Sequence, residues 1–359
     1  MTGRGGFLGW HTRAALRETG TDTTAIAVGE QFEAETAVGA LNGATRLIHI
    51  AGVNRATPDQ VSAGNIQFAE QVSEALRRAP EPPPVVVYAN STQTGNGTPY
   101  GEAKARAGEI LALASQEVGA QFLDLRLPNL FGEHGRPFYN AVTATFCHIL
   151  STGGEPRVDQ DKELTLLHAQ NAADLLTGAT TPEEQGNLEV TKSVSGLLGR
   201  LRELASVYDR GEMPDLADEF DRDLFNTYRS YTIETRTPIT LTRHADPRGS
   251  FFEVVRSHGG TGQSAFSTTV PGISRGDHFH RRKVERFTVL AGQAVISLRK
   301  LFTDEVLNFT VAGDAPVAVD MPTMWAHRIT NTGTADLFTS FWTNDLFDPS
   351  KPDTISEVV

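Results

Sequence analysis

The sequence predicts two joined domains of different class: an α/β domain with a parallel sheet over residues 1–235, then an all-β barrel or jelly roll over residues 236–359. Three observations predict this. A chain of 359 residues is longer than one ordinary core organises. The first part opens on a glycine-rich turn and then alternates short apolar runs with helical periodicity. From Ile239 the pattern changes to short strands separated by Gly, Pro, Asn and Asp turns.

Composition narrows the partners. Apolar residues at 39% with charged residues at 21% are globular values. A net charge of -12 argues against nucleic acid or an anionic membrane, and leaves room for an anionic substrate held in a local basic pocket. One cysteine, Cys147, excludes an intramolecular disulfide and suits a reducing compartment. No basic-then-apolar leader opens the chain and no apolar run is long enough to span a bilayer, so a cytoplasmic protein is expected.

The α/β part begins with Gly3, Gly6 and Gly9 around Phe7 and Leu8, followed by a helical pattern that ends at Gly20. This turn suits the approach of a pyrophosphate to a helix N-terminus. A strand should precede it, and none is visible; a few upstream residues missing from the start are the favoured explanation, a lost central strand the other. Residues 23–28 read as the second strand. Glu30, about twenty residues past the glycines, is placed to accept a bond from a ribose 2'-hydroxyl, which favours NAD, whereas Arg4 suits a 2'-phosphate. Residues 47–50 read as a buried strand running into the small residues Ala51 and Gly52. Residues 65–78 carry helical periodicity, and the three prolines from Pro82 break the chain before a strand from Val85.

That strand ends at Ser91 and Thr92, and Tyr100 and Lys104 follow. On a helix this pair shares one face, so an ammonium beside the phenol is expected to lower its pKa from about 10 towards the working pH. Tyr100 would then pass a proton to or from a carbonyl while hydride moves. Residues 168–175 read as a later helix packed on the sheet. Residues 211–223, rich in acid, read as a solvated helical surface, and the domain boundary is expected at residues 232–238.

In the β part, His278 and His280 are one residue apart and share a strand face, with Glu285 in reach after a short turn and His327 on another β-rich segment. Three imidazoles and a carboxylate form a plausible ligand shell for zinc, iron or manganese. Arg248, Arg256 and Arg275 are candidates for diphosphate contacts. The aromatic and polar tail from Phe341 reads as a barrel edge or a dimer contact.

These residues carry resemblances. Gly272, His278, His280, Glu285 and Gly292 have the spacing of the first motif of the cupin superfamily throughout. Pro322, His327 and Asn331 resemble its second motif, with Met324 where a Gly is usual. Sugar-nucleotide epimerases of the cupin type carry a His at the position of His278 that acts as a base without metal. The glycine turn, the segment through Ala51 and Gly52, Tyr100 with Lys104, and the segment from Arg126 to Gly132 resemble the extended short-chain dehydrogenases, with a Rossmann-like fold.

In this order the whole chain resembles the bifunctional capsular-polysaccharide enzymes of the CapF type. The resemblance implies a cupin that inverts C3 of a UDP-2-acetamido-2,6-dideoxy-4-ketohexose and a reductase that reduces C4 with NADPH to the L-talo product. It implies roles for Tyr100 as proton donor, Lys104 as pKa modifier and ribose anchor, Ser91 or Thr92 as the carbonyl partner, and His278, His280, Glu285 and His327 as zinc ligands. It pulls the cofactor towards NADPH rather than NADH and implies a homodimer. The alternatives are a reductase or epimerase beside a non-catalytic cupin used for dimerisation or sugar sensing, an iron-dependent oxygenase in the barrel, or a non-catalytic nucleotide sensor in the first domain.

Overall fold

The computed structural model describes all residues, 1–359. The chain divides into two compact units, Met1–Leu130 with Leu164–Thr191, and Phe131–Glu163 with Lys192–Val359.

The first unit is built on a parallel sheet of strands Leu47–His49, Val85–Ser91 and Gln121–Leu127, in that order. Alternation along Val85–Ser91 sends Val86 and Tyr88 to one core and Val87 and Ala89 to the other, so both faces are covered. The first core takes Ala69, Val72 and Leu76 from the helix Pro58–Arg78 and Ala107 and Leu111 from Pro99–Glu117. Pro58–Arg78 starts cleanly because Thr57 and Gln60 cap each other and proline stands at the first turn. The helix Ala169–Thr177 serves the second core through Ala172, Leu175 and Leu176.

Residues 23–28 do not form the expected strand. A strand needs a partner of matching length, and here only Met1 and Thr2 occupy the place beside them. Ile26 donates to the oxygen of Met1 and Thr2 to that of Ile48, and the Met1 ammonium donates to Thr24. A cleft of about 720 Å³ is lined by Met1, Thr24, Leu41 and Leu47 among others.

The second unit contains two five-stranded antiparallel sheets. One runs Gln263–Thr269, Leu337–Thr343, Glu285–Ala291, Val317–Met321, Ile239–Thr240; the other runs Val306–Ala312, Gln293–Lys300, Trp325–Asn331, Ser274–Phe279, Ile355–Ser356. Phe287, Val289, Ile296, Leu298, Val319 and Ile329 form the core between them. Leu337–Thr343 is paired on both sides, so Phe341, Trp342 and Thr343 are interior to their sheet rather than at its edge.

The helices Val194–Tyr208 and Glu219–Arg229 belong to this unit, so the compact units do not follow a sequential division after residue 235. Buried contacts explain why: the Tyr208 hydroxyl donates to Asp320, and Asn226 donates to the oxygen of Arg282. Residues 211–218 are not the solvated helix expected of them. Met213 bridges to Ser257 and is buried, and the helix starts only where Asp218 caps it. No helix of the chain is long and apolar enough to cross a membrane.

Candidate functional site

Two groups of residues gather. The first lies at the C-terminal ends of the parallel strands, where open α/β sheets place their ligands. Gly3 has φ +67, and a side chain there would meet the Ala51 nitrogen at 2.8 Å. A Cβ at Gly9 would stand 2.1 Å from the Gly3 oxygen, which explains the glycine at each position. The Thr2 hydroxyl accepts from the N–H groups of Ile50 and Ala51, tying the turn to the strand end. The helix Phe7–Glu18 begins at Gly6 without any side-chain cap, so its first N–H groups point out of the turn with no local acceptor. A glycine cradle around a bare helix start fits a dinucleotide pyrophosphate. Phe7 and Leu8 are half-buried beside it, and Gly52 is exposed. Glu30 lies exposed on a short 3-10 turn.

Tyr100 sits in the first turn of Pro99–Glu117, capped by Thr98. The Ser91 hydroxyl accepts from the Gln93 N–H and is half-buried, whereas Thr92 is exposed and uses its N–H on the Leu127 oxygen. Burial pushes the Tyr100 phenol up, with Ser91 acting in the opposite direction. The lowering expected from an adjacent ammonium is therefore not observed. Lys104 instead donates to the Ala89 oxygen at 2.7 Å and lies 4.1 Å from the centre of the Tyr88 ring. Its own desolvation brings it down to about 7, against the opposing pull of Asp124. Asn90, which sequence reasoning missed, accepts from Ser91 N–H and the Thr94 hydroxyl and donates to Asp124. A polar residue inside an apolar strand was the available signal.

The second group is in the barrel. His278 is the penultimate residue of the strand Ser274–Phe279 and pairs in register with His327, His280 follows the strand directly, and Glu285 opens Glu285–Ala291. A bulge at Gly276 re-aims the strand; a side chain there would lie 2.5 Å from the His327 oxygen. This glycine escaped the sequence reading. Met324, in the usual glycine position of the second motif, adopts φ 61 all the same.

The ligand atoms of His278, His280, Glu285 and His327 all lie within 4.8 Å of one another. One Glu285 oxygen is 3.0 Å from His280 Nε2 and 3.3 Å from His327 Nε2, and the Nε2 atoms of His327 and His278 are 3.1 Å apart. His280 faces a backbone oxygen with Nδ1, which must carry the hydrogen there, leaving its Nε2 lone pair towards a carboxylate. Acceptors turned on one another call for a cation between them, and three imidazoles with one carboxylate fit zinc, iron or manganese. Burial favours the neutral form of His278, pushed down to about 4, with His327 and His280 adding to it. Burial alone would raise Glu285, but the adjoining His280 and His327 rings hold it well below the usual carboxylate range. The three candidate diphosphate arginines are engaged locally: Arg248 with Asp246, Arg256 with Glu253, Arg275 with Thr268 and Thr269.

Fold and site define a class, a Rossmann-like α/β unit carrying a cofactor turn and joined to a cupin-type barrel. Residues 1–187 match the NAD dependent epimerase/dehydratase family and residues 244–355 the polysaccharide biosynthesis C-terminal domain. The chain is 30% identical to UDP-2-acetamido-2,6-beta-L-arabino-hexul-4-ose reductase of Pseudomonas aeruginosa, over 99% of its own length and 96% of the relative's. It is 33% identical to the crystal structure of the capsular polysaccharide assembling protein CapF from Staphylococcus aureus, with a TM-score of 0.61 covering 100% and 99% of the two chains. UDP-glucose 4-epimerase of Thermotoga maritima, at 17% identity and TM-score 0.52 over 65% of this chain and 98% of its own, shares the fold. The chain belongs to the NAD dependent epimerase/dehydratase family, among the CapF-type capsular polysaccharide enzymes.

Proposed function

We propose that the chain is a bifunctional enzyme of nucleotide-sugar biosynthesis, an isomerase and oxidoreductase making a precursor of UDP-N-acetyl-L-fucosamine for a surface polysaccharide. The barrel, residues 236–359, epimerises C3 of a UDP-2-acetamido-2,6-dideoxy-4-ketohexose. The α/β part, residues 1–235, then reduces the C4 ketone to the L-talo product. The observation that carries this reading is the gathering of His278, His280, Glu285 and His327 in one chain with a glycine turn packed on Ala51. The reductase named among the relatives, similar over nearly the whole chain, supports it.

The chemistry orders the steps. A C3 hydrogen beside a C4 ketone is acidified because its removal leaves an enolate. Reduction at C4 destroys that ketone, so epimerisation precedes reduction. On this reading Gly3, Gly6, Phe7, Leu8, Gly9, Ala51 and Gly52 hold the nucleotide. Ser91 hydrogen-bonds the C4 oxygen and orients Tyr100, which delivers the proton. Lys104 anchors the ribose. NADPH supplies the hydride; NADH is the alternative donor. His278, His280, Glu285 and His327 hold a divalent cation, zinc in our assignment, which when bound supplies positive charge for an enolate oxygen. Thr92 takes no part in this assignment. The reading places the protein in the cytoplasm and, by family resemblance, as a homodimer.

The test is NMR of a UDP-4-keto-6-deoxy-N-acetylhexosamine incubated with protein in D2O without nicotinamide. Deuterium at C3 is expected, followed by C4 reduction once NADPH is added. Reduction without prior exchange would favour a reductase beside a non-catalytic barrel.

A further inference from the structure

The turn that separates His280 from Glu285 is held by a residue far along the chain. Asp353 lies 73 residues beyond His280, and its backbone oxygen faces His280 Nδ1 at 2.5 Å. Its carboxylate accepts three successive backbone N–H groups, from Arg281 and Arg282 at 2.8 Å and from Lys283 at 2.7 Å. It holds φ +41, a conformation that L side chains rarely adopt, so the surrounding contacts over-determine it. Those contacts are on the page. Ile355 and Ser356 pair with Phe279 and His278, the Glu357 N–H donates to the Asp277 oxygen, and Lys283 Nζ donates to Pro352 and Thr354.

A carbonyl oxygen can only accept, so Nδ1 of His280 is the donor, and in the neutral ring that a cation requires Nε2 is then the lone pair facing Glu285. Nothing on the barrel strand itself imposes that choice. The carboxylate, by gathering the N–H groups of residues 281–283, sets the path from His280 to Glu285 and with it the spacing of two cluster members. Outer partners that orient a ligating imidazole are worth 10–100-fold in affinity as a rule.

We propose that Asp353 is the positioning residue of the barrel cluster, and that the tail around it is a strap that completes a divalent-cation site which the barrel strands alone leave loose. This rests on the reading that the cluster holds a divalent cation. The test titrates the full-length protein, stripped with chelator, with Co2+ followed by its visible absorption and with Zn2+ against a chromophoric chelator. Asp353→Ala is expected to weaken affinity by about 10–100-fold and to alter the Co2+ spectrum. Asp353→Asn, which keeps the size and one accepting oxygen, is expected to lie between Asp353→Ala and the wild type. Asp348→Ala, which removes an exposed tail carboxylate that accepts from Ser350, should match the wild type. Wild-type affinity and spectrum in Asp353→Ala would overturn the proposal; were that variant not to fold, the same result in Asp353→Asn would do so. A wild-type protein that binds neither ion would instead remove the cation reading on which the proposal stands.

Discussion

Lys104 donates its ammonium hydrogen to the backbone oxygen of Ala89 at 2.7 Å and lies over the ring of Tyr88. Burial brings its pKa down from 10.5 to about 7. Between those values the unfolded chain holds more protons than the folded one, so this group makes stability rise with pH from about 7 upward, its penalty being complete below that. Lys104→Met should therefore raise Tm most at pH 6, with the gain shrinking towards pH 9. Equal gains at both values would show that the lysine is not desolvated as the geometry implies.

Burial of the Tyr100 phenol, which Ser91 opposes, leads to a ranking of three variants. Tyr100→Phe should lower the C4 reduction rate by on the order of 10²–10⁴ while leaving C3 exchange in D2O unchanged. Ser91→Ala should fall in the same direction. Thr92→Ala should stay near wild type, because its side chain is exposed and its role here is the backbone bond to Leu127. Steady-state rates for the three separate these outcomes.

Arg286 and Asp320 meet in a bidentate pair at 2.7 and 2.9 Å, both almost fully buried, with Tyr208 donating to the same carboxylate. Removing one partner strands the other charge. Asp320→Ala should cost about 3–5 kcal/mol in denaturant unfolding, whereas the joint change Arg286→Met with Asp320→Leu should cost far less. Equal losses would mean that packing rather than charge decides.

Gly9→Ala should abolish nucleotide binding measured by calorimetry, since its Cβ would stand 2.1 Å from the Gly3 oxygen and the turn would have to open. Gly5→Ala, with nothing within 4 Å, should bind normally. Loss in both would place the nucleotide against Gly5 as well.

Much of this architecture is local and therefore legible. The apolar run from residue 85 reads as a strand because the pattern is local, whereas the helix read from residue 65 begins earlier, at Pro58, where Thr57 and Gln60 cap each other. The His278, His280 and Glu285 spacing belongs to the same kind, since a strand and a tight turn suffice to bring the three near one another. The strand expected at residues 23–28 failed for lack of a partner, which no local pattern reports. Distance in the chain decided the remainder. Asp320 reaches Tyr208 across 112 residues and Arg286 across 34, and Asp353 reaches His280 across 73. Such pairs have no period, and each charged or polar member reads in sequence as ordinary surface. Only packing reveals that burial denies these groups water, which makes their partners obligatory, turns Lys104 towards Ala89, and gathers residues 194–229 with the barrel.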